Sequence, residues 1–117
     1  MADNKLADMS TEFTVNILKL TESIKGHYSL ANQLERSGTS IGANIRETKY
    51  AQSKADFVSK LQIALKEGYE TEYWIENAQK SGLVEEYATR NIMHDSGSIR
   101  RMLSASINTV KANTGKK

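Results

Sequence analysis

Apolar residues recur every three or four positions through most of this chain, which is the spacing of an α-helix with one buried face. Four such stretches can be separated. Their apolar residues are Phe13, Ile17, Leu20 and Ile24; Leu30, Leu34, Ile41 and Ile45; Phe57, Leu61, Ala64, Gly68 and Ile75; and Ile92, Ile99, Leu103 and Val110. The pattern therefore predicts an all-α chain.

Serine and glycine residues mark the expected helix ends. Ser10, Ser29 and Ser53 are predicted N-caps of the first three helices, because a serine hydroxyl can accept a hydrogen bond from a free N–H of the first turn. The second helix is predicted to end near Tyr50. Gly82 is the expected C-terminal signal of the third helix, since glycine adopts the left-handed conformation that closes many helices.

The fourth helix is expected to begin near Val84 or Glu85 and to end near Val110, with an interruption at DSGS, residues 95–98. Short connections make successive helices antiparallel, so the predicted fold is an antiparallel, up-down-up-down four-helix bundle. The predicted organisation is a loosely ordered N-terminus at 1–9, one bundle domain at 10–112 and a basic C-terminal tail at 113–117.

The middle of the second helix reads RSGTSIGANIRE, residues 36–47, and contains two glycines. A glycine inside a helix costs about 1 kcal/mol relative to alanine. Gly38 and Gly42 lie on one side of the apolar seam and predict close packing against a neighbouring helix. A polar ladder lies on the other side and consists of Arg36, Ser40, Asn44 and Glu47.

Two interpretations of the polar ladder are open. The first is a polar pocket that binds a ligand. The second is a hydrogen-bond network that sets the register between helices, either within one subunit or between subunits. The network is favoured, because no neighbouring residues complete a catalytic set.

The third helix is apolar on more sides than one bundle can cover. Ile63 and Trp74 project from a face outside the core stripe, and Tyr69 and Tyr73 widen the apolar arc on another side. Aromatic residues on such a face are typical of protein interfaces. We therefore predict an oligomer interface at these four residues; the alternative is a Trp74 that is simply exposed or covered by a chain end.

Composition narrows the possible chemistry. The chain has no cysteine, which excludes disulfides and thiolate metal sites and favours an intracellular location. Neither His27 nor His94 follows a glutamate by three residues, as the metal ligands of bundle enzymes do. No apolar run is long enough for a membrane span. These features predict a soluble, cytoplasmic protein that is not an enzyme and carries no metal or cofactor.

The formal net charge is +2, and basic residues outnumber acidic ones from Gln79 onward. A solvated face is the favoured interpretation of this region. The alternative is contact with the phosphates of RNA or DNA, strengthened if an oligomer repeats the patch. The candidate residues for that contact are Arg90, Arg100, Arg101, Lys111, Lys116 and Lys117.

The segments QLERSGTSIGANIRE (33–47), AQSKADFVSKLQIALKE (51–67) and ETEYW (70–74) together resemble the bacterial "four helix bundle protein" family. That family includes proteins encoded in intervening sequences of large-subunit ribosomal RNA genes. The resemblance covers residues 10–112 and adds Glu70 to the polar ladder. The chain departs from the family's common NIAEG at Arg46, which replaces a small residue, and at Thr48, which replaces a glycine.

The resemblance implies a bundle that assembles into a ring-like homo-oligomer, a pentamer, without an established enzymatic activity. A related protein, the accessory protein of diversity-generating retroelements, is similar to the same bundle with a strongly basic surface and works with a reverse transcriptase. The expected function is that of an assembly scaffold or adaptor whose partners are its own copies and another protein. The alternative is a nucleic-acid-binding accessory protein associated with ribosomal RNA or a reverse transcriptase.

Overall fold

The computed structural model describes residues 4–115, and these form four long helices. The helices are α1, Asn4–Ser23; α2, Tyr28–Glu47; α3, Lys54–Lys80; and α4, Glu86–Gly115. A single 3₁₀ turn, Thr48–Tyr50, follows α2. The four predicted helices are confirmed, and the described part of the chain contains no strand.

Each helix packs against the next one along the chain, and α4 also packs against α1. At every successive contact, higher residue numbers on one helix meet lower numbers on its neighbour. The pairs are Gly38–Ile17 and Gly42–Thr14 between α1 and α2, Arg36–Glu70 and Glu47–Lys60 between α2 and α3, and Glu72–Arg100 and Gln79–Thr89 between α3 and α4. Neighbouring helices are therefore antiparallel, as in an up-down-up-down bundle.

The core follows the predicted apolar stripes with small changes. The buried members are Phe13, Ile17, Leu20, Ile24, Leu34, Ile41, Ile45, Leu61, Ala64, Gly68, Ile75, Ile92, Ile99 and Leu103. Leu30, Phe57 and Val110 are only half-buried. Near the end of α4 it is Ile107 that enters the core instead.

The prediction of a loosely ordered segment at residues 1–9 is wrong for residues 4–9, which belong to α1. Leu6 is buried, two turns before Phe13 on the same face of the helix, and Met9 packs against the core as well. Ser10 is therefore an interior residue, and its hydroxyl donates to the carbonyl oxygen of Ala7. Burial of Leu6 explains why the helix starts earlier than the predicted cap.

Both ends of α3 match their sequence signals. The Ser53 hydroxyl accepts a hydrogen bond from the N–H of Asp56 at 3.0 Å. Ser53 is therefore the N-cap of α3, as predicted. At the other end Gly82 has φ +77°, its N–H donates to Gln79 O, and the next N–H, of Leu83, donates to Ala78 O. These two bonds form a Schellman motif, which ends the helix.

The predicted N-cap of α2 is wrong, because that helix begins at Tyr28, and His27 occupies the cap position without a side-chain hydrogen bond. The predicted interruption at residues 95–98 is also wrong, since α4 is continuous there. Ser96 lies inside the bundle and donates to a carboxylate of α3, so tertiary contacts hold this turn-prone segment in the helix. The helix also continues past Val110 to Gly115, through the first residues of the predicted tail.

The two glycines of α2 lie at its contact with α1. A Cβ atom at Gly38 would lie 2.6 Å from Cγ2 of Ile17, which is closer than real Cβ atoms approach. A Cβ atom at Gly42 would lie 3.1 Å from the Thr14 hydroxyl oxygen. The absence of these side chains lets the two helices approach closely, and the resulting packing offsets the low helix propensity of glycine.

Candidate interaction surface on the third helix

The predicted polar ladder is centred on an arginine that reaches from α2 to α3. Nη1 of Arg36 lies 3.3 Å from Oε1 of Glu67, and Nη2 of Arg36 binds the Glu70 carboxylate. The hydrogen bond to Glu70 raises the pKa of Arg36 above its ordinary value. The structure thus brings together Arg36 and Glu70, which were predicted as members of one ladder.

Glu70 also accepts a hydrogen bond from an aromatic residue of its own helix. Nε1 of Trp74 donates to Oε2 of Glu70 at 3.1 Å. This bond and the bond from Arg36 hold the pKa of the Glu70 carboxyl below its ordinary value, because both donors favour the charged form. Trp74 itself packs partly against the core. The resulting α2-side cluster, Arg36, Glu67, Glu70 and Trp74, therefore has fixed geometry.

The other predicted ladder residues do not join that cluster. Nδ2 of Asn44 donates to the carbonyl oxygen of Ser40 at 2.9 Å, within α2. Glu47 binds Lys60 of α3 at 3.0 Å and raises the pKa of Lys60 above its ordinary value. The ladder is thus three separate sets of contacts along α2 and is not one continuous network.

A buried hydrogen bond next to the ladder was not predicted. The hydroxyls of Ser37 and Thr71 lie 3.0 Å apart at the α2–α3 contact, and neither residue is accessible to solvent. Ser37 occupies a position of the apolar stripe of α2, between Leu34 and Ile41. A serine at such a position is the sequence signal for a polar contact in the core. The partner on α3 cannot be read from one sequence, because the pairing depends on how the two helices dock.

A second charged cluster lies on the opposite flank of α3, against α4. The Glu72 carboxylate binds Arg100 through Nε at 2.6 Å and Nη2 at 3.3 Å, and it also accepts from the Ser96 hydroxyl at 2.6 Å. The guanidinium carbon of Arg100 lies 4.5 Å from the ring centre of Tyr69. We call Tyr69, Glu72, Ser96 and Arg100 the α4-side cluster. The hydrogen bond between Arg100 and Glu72 raises the pKa of Arg100 above its ordinary value.

Between the two clusters, α3 presents aromatic side chains to solvent. Tyr69 and Tyr73 are each 56% exposed. The Tyr73 ring packs edge-on against Trp74, with ring centres 5.0 Å apart and an angle of 67° between the rings. Ile63 is 38% exposed and shares its helix face with Trp74, since eleven residues complete about three turns. These four residues are the predicted oligomer interface, here called the α3 surface.

The predicted nucleic-acid contacts do not form one set. Arg100 is held by Glu72, whereas Arg90, Arg101 and Lys111 are exposed on α4. Arg101 makes only a 3.3 Å hydrogen bond with the Ser98 hydroxyl of its own helix. Lys116 and Lys117 lie outside the described residues.

The described residues contain no group of histidine, aspartate and glutamate that could hold a metal ion. His94 lies 3.6 Å from Asp95 at the surface. Within residues 4–115, none of the helices has the length and apolar character needed to cross a membrane.

Comparison with known proteins places this bundle in a family. The chain matches the 23S rRNA-intervening sequence protein family over residues 2–105. The chain belongs to this family. This confirms the resemblance carried by residues 33–74. None of the proteins with curated descriptions matches the chain.

A solved structure of the same fold supports the family assignment. It is the crystal structure of a protein with unknown function from the S23 ribosomal protein family of Bacteroides thetaiotaomicron. The two sequences are 43% identical, the match covers 92% of this chain and 99% of the other, and the TM-score is 0.85. This chain and that protein therefore share one bundle architecture.

Proposed function

We propose that this protein is a non-catalytic, homo-oligomeric scaffold whose subunits meet through the α3 surface, and that the assembly recruits another protein. The observation that carries the proposal is the pair of half-exposed tyrosines, Tyr69 and Tyr73, next to Trp74. Tyrosine, tryptophan and arginine dominate the binding energy of protein interfaces. At the α3 surface the tyrosines and Trp74 lie beside two arginines of the neighbouring helices, Arg36 of α2 and Arg100 of α4.

The flanking charged clusters support the same surface. Arg36 and Arg100 are each bound to a glutamate, so the side chains next to the tyrosines are ordered before any partner arrives. An ordered surface loses less conformational freedom on association, which strengthens binding. The assembly proposed is a pentameric ring, in keeping with what the family resemblance implies.

The proposal is tested by light scattering on the purified protein and on Tyr73→Glu. A pentamer has five times the 13.1 kDa mass of one chain. Tyr73→Glu places a charge in the interface and should lower the mass with unchanged helicity by circular dichroism. Tyr87→Glu is the matched control, because Tyr87 is 72% exposed on α4, and it should leave the mass unchanged. A wild-type monomer at micromolar concentration would contradict the proposal.

Trp74→Ala is a less selective test of the same interface. Truncation of Trp74 should lower the oligomer mass, but it also removes core packing and the donor to Glu70. A loss of helicity in this variant would therefore reflect the bundle as well as the interface.

A second candidate function is nucleic-acid binding, favoured by the exposed cations of α4. Arg90, Arg101 and Lys111 have no ion-pair partner among residues 4–115. A ring would repeat them in every subunit and raise the avidity for phosphates. The test is binding of structured RNA and duplex DNA across a salt series. Affinity that falls steeply with salt, and less steeply in Arg90→Ala/Arg101→Ala, supports this function; absence of binding at low salt contradicts it.

A further inference from the structure

A cleft of about 280 Å³ lies between α1, α2 and the start of α3, away from the α3 surface. Phe57 lines it and precedes Tyr73 by sixteen residues, about 24 Å along the helix. Its size is near the lower end of the ligand pockets of proteins, which begin at about 300 Å³. The cleft therefore suits a small molecule and belongs to neither charged cluster described above.

The floor of the cleft is apolar. The larger apolar side chains that line the cleft are Leu6, Val15, Ile45, Phe57 and Leu61. Leu6, Ile45 and Leu61 belong to the buried core, so they form a preorganised floor. A ligand body that contacts this floor must be apolar, because it replaces water against hydrocarbon.

Of the six hydroxyl groups around the cleft, all but that of Ser106 on α4 offer no free proton to a ligand. Five of them donate to a main-chain carbonyl three or four residues earlier in their own helix. They belong to Ser10, Thr11, Thr14, Thr39 and Thr48. Each hydroxyl has one proton, so these groups present to the cleft only oxygen lone pairs and, for threonine, a methyl group.

Cationic donors are instead placed at the mouth of the cleft. Arg46 and Lys49 line it, both residues are exposed, and neither has an ion-pair partner within residues 4–115. Among residues 4–115, no aspartate or glutamate lines the cleft. The arrangement of an apolar interior and a cationic mouth matches one chemical type, a small apolar body with an anionic head.

We propose that this cleft binds a small, single-chain carboxylate, with its hydrocarbon chain against Leu6, Phe57 and Leu61 and its carboxylate between Arg46 and Lys49. The site is independent of the proposed oligomer interface, because it uses α1, α2 and the opposite end of α3. Binding is set by two separable features, the length of the chain and the charge of the head.

The test is isothermal titration calorimetry of the full-length protein with octanoate, hexanoate, 1-octanol and octylammonium. Octanoate should bind, and hexanoate should bind more weakly by about fourfold for each lost methylene that the cleft buries. 1-Octanol should bind at least tenfold more weakly than octanoate, and octylammonium more weakly still. Equal affinities for octanoate and 1-octanol would overturn the anion site, and no binding of octanoate at millimolar concentration would overturn the whole proposal.

Variants locate the site. Arg46→Gln/Lys49→Gln should reduce octanoate affinity to that of 1-octanol, whereas the matched pair Arg90→Gln/Arg101→Gln on α4 should leave it unchanged. Ala43→Phe places a ring at the exposed edge of the cleft and should abolish binding of the longer chain. Circular dichroism verifies that each variant is folded. Full octanoate affinity in folded Arg46→Gln/Lys49→Gln would overturn the proposal.

Discussion

On both flanks of α3 an arginine from a neighbouring helix binds a glutamate beside an aromatic ring, but water reaches the two clusters unequally. In the α2-side cluster the Arg36 side chain is 49% exposed and that of Glu70 is 29% exposed. In the α4-side cluster the corresponding values are 23% for Arg100 and 18% for Glu72. Glu72 also binds Ser96, a buried residue, so its cluster is part of the bundle interior.

The α2-side and α4-side clusters have similar residues, but their different exposure to water gives them different roles. A charged pair shielded from water becomes costly when one partner is removed, whereas an exposed pair contributes little. The α4-side cluster therefore holds α3 and α4 together. The α2-side cluster leaves half of the Arg36 side chain accessible, and in the proposed oligomer this cation can contact a partner subunit.

The largest expected difference is between the two glutamates. Glu72→Ala should lower the free energy of unfolding by about 2–3 kcal/mol, since it leaves Ser96 and Arg100 without their acceptor. Glu70→Ala should cost about 1 kcal/mol or less, because water can solvate Arg36. Urea unfolding at one fixed protein concentration measures both. Equal losses of unfolding free energy in Glu72→Ala and Glu70→Ala would contradict the difference between the two clusters that their solvent exposure indicates.

Exchange of arginine for lysine should give a smaller difference in the same direction. Arg100→Lys loses the two-point contact with Glu72 and the stacking on Tyr69, at a cost of about 1–2 kcal/mol. Arg36→Lys should cost less than about 1 kcal/mol, since an exposed ammonium can still approach Glu67 or Glu70. The same unfolding assay applies, and a costlier Arg36→Lys would reverse the assignment of roles.

A pH effect should distinguish the α2-side cluster. The folded pKa of Glu70 is depressed, so its charged form contributes stability above the unfolded value of about 4.3, and this contribution is lost as the pH falls through the lower folded value. Removal of the Trp74 donor in Trp74→Phe should raise the Glu70 pKa towards its unfolded value, so the loss of stability on acidification should be smaller and complete at a higher pH. Glu70→Gln should remove this part of the acid dependence. An unchanged acid profile in Glu70→Gln would contradict the depressed pKa.

The smallest effect is expected for a third pair between α2 and α3. In the pair Glu47–Lys60 the glutamate side chain is 55% exposed and the lysine side chain 30%, and ion pairs that water reaches contribute little to stability. Lys60→Gln should leave the urea midpoint unchanged within error. A clear loss of stability in Lys60→Gln would show that exposure is a poor guide to the importance of these pairs.

The fold was predictable because its signals are local. Helical spacing identified the core of every helix, and single residues such as Ser53 and Gly82 marked helix ends. The errors arose where distant contacts override local preference. Leu6 extends α1 because it reaches the core, and Ser96 stays helical because a carboxylate on α3 binds it.

The charged clusters were only partly predictable. Arg36 and Glu70 were placed in one ladder, in part through the family resemblance, and they do meet. Arg100 was expected on a solvated face or, in the alternative, at a phosphate contact, and its ion pair was missed because Glu72 lies on another helix, 28 residues away in sequence. Spacing along one helix identifies which residues share a face, but it does not identify which residue of a neighbouring helix will face them.

Trp74 is the only tryptophan of the chain, and it lies at the proposed interface, so its fluorescence tests the central claim directly. We would record its emission across a dilution series in parallel with the mass of the assembly. The account predicts a red shift of the emission as the oligomer dissociates, with constant helicity, because dissociation exposes the indole to water. An emission maximum that stays fixed while the mass falls would show that the subunits meet elsewhere.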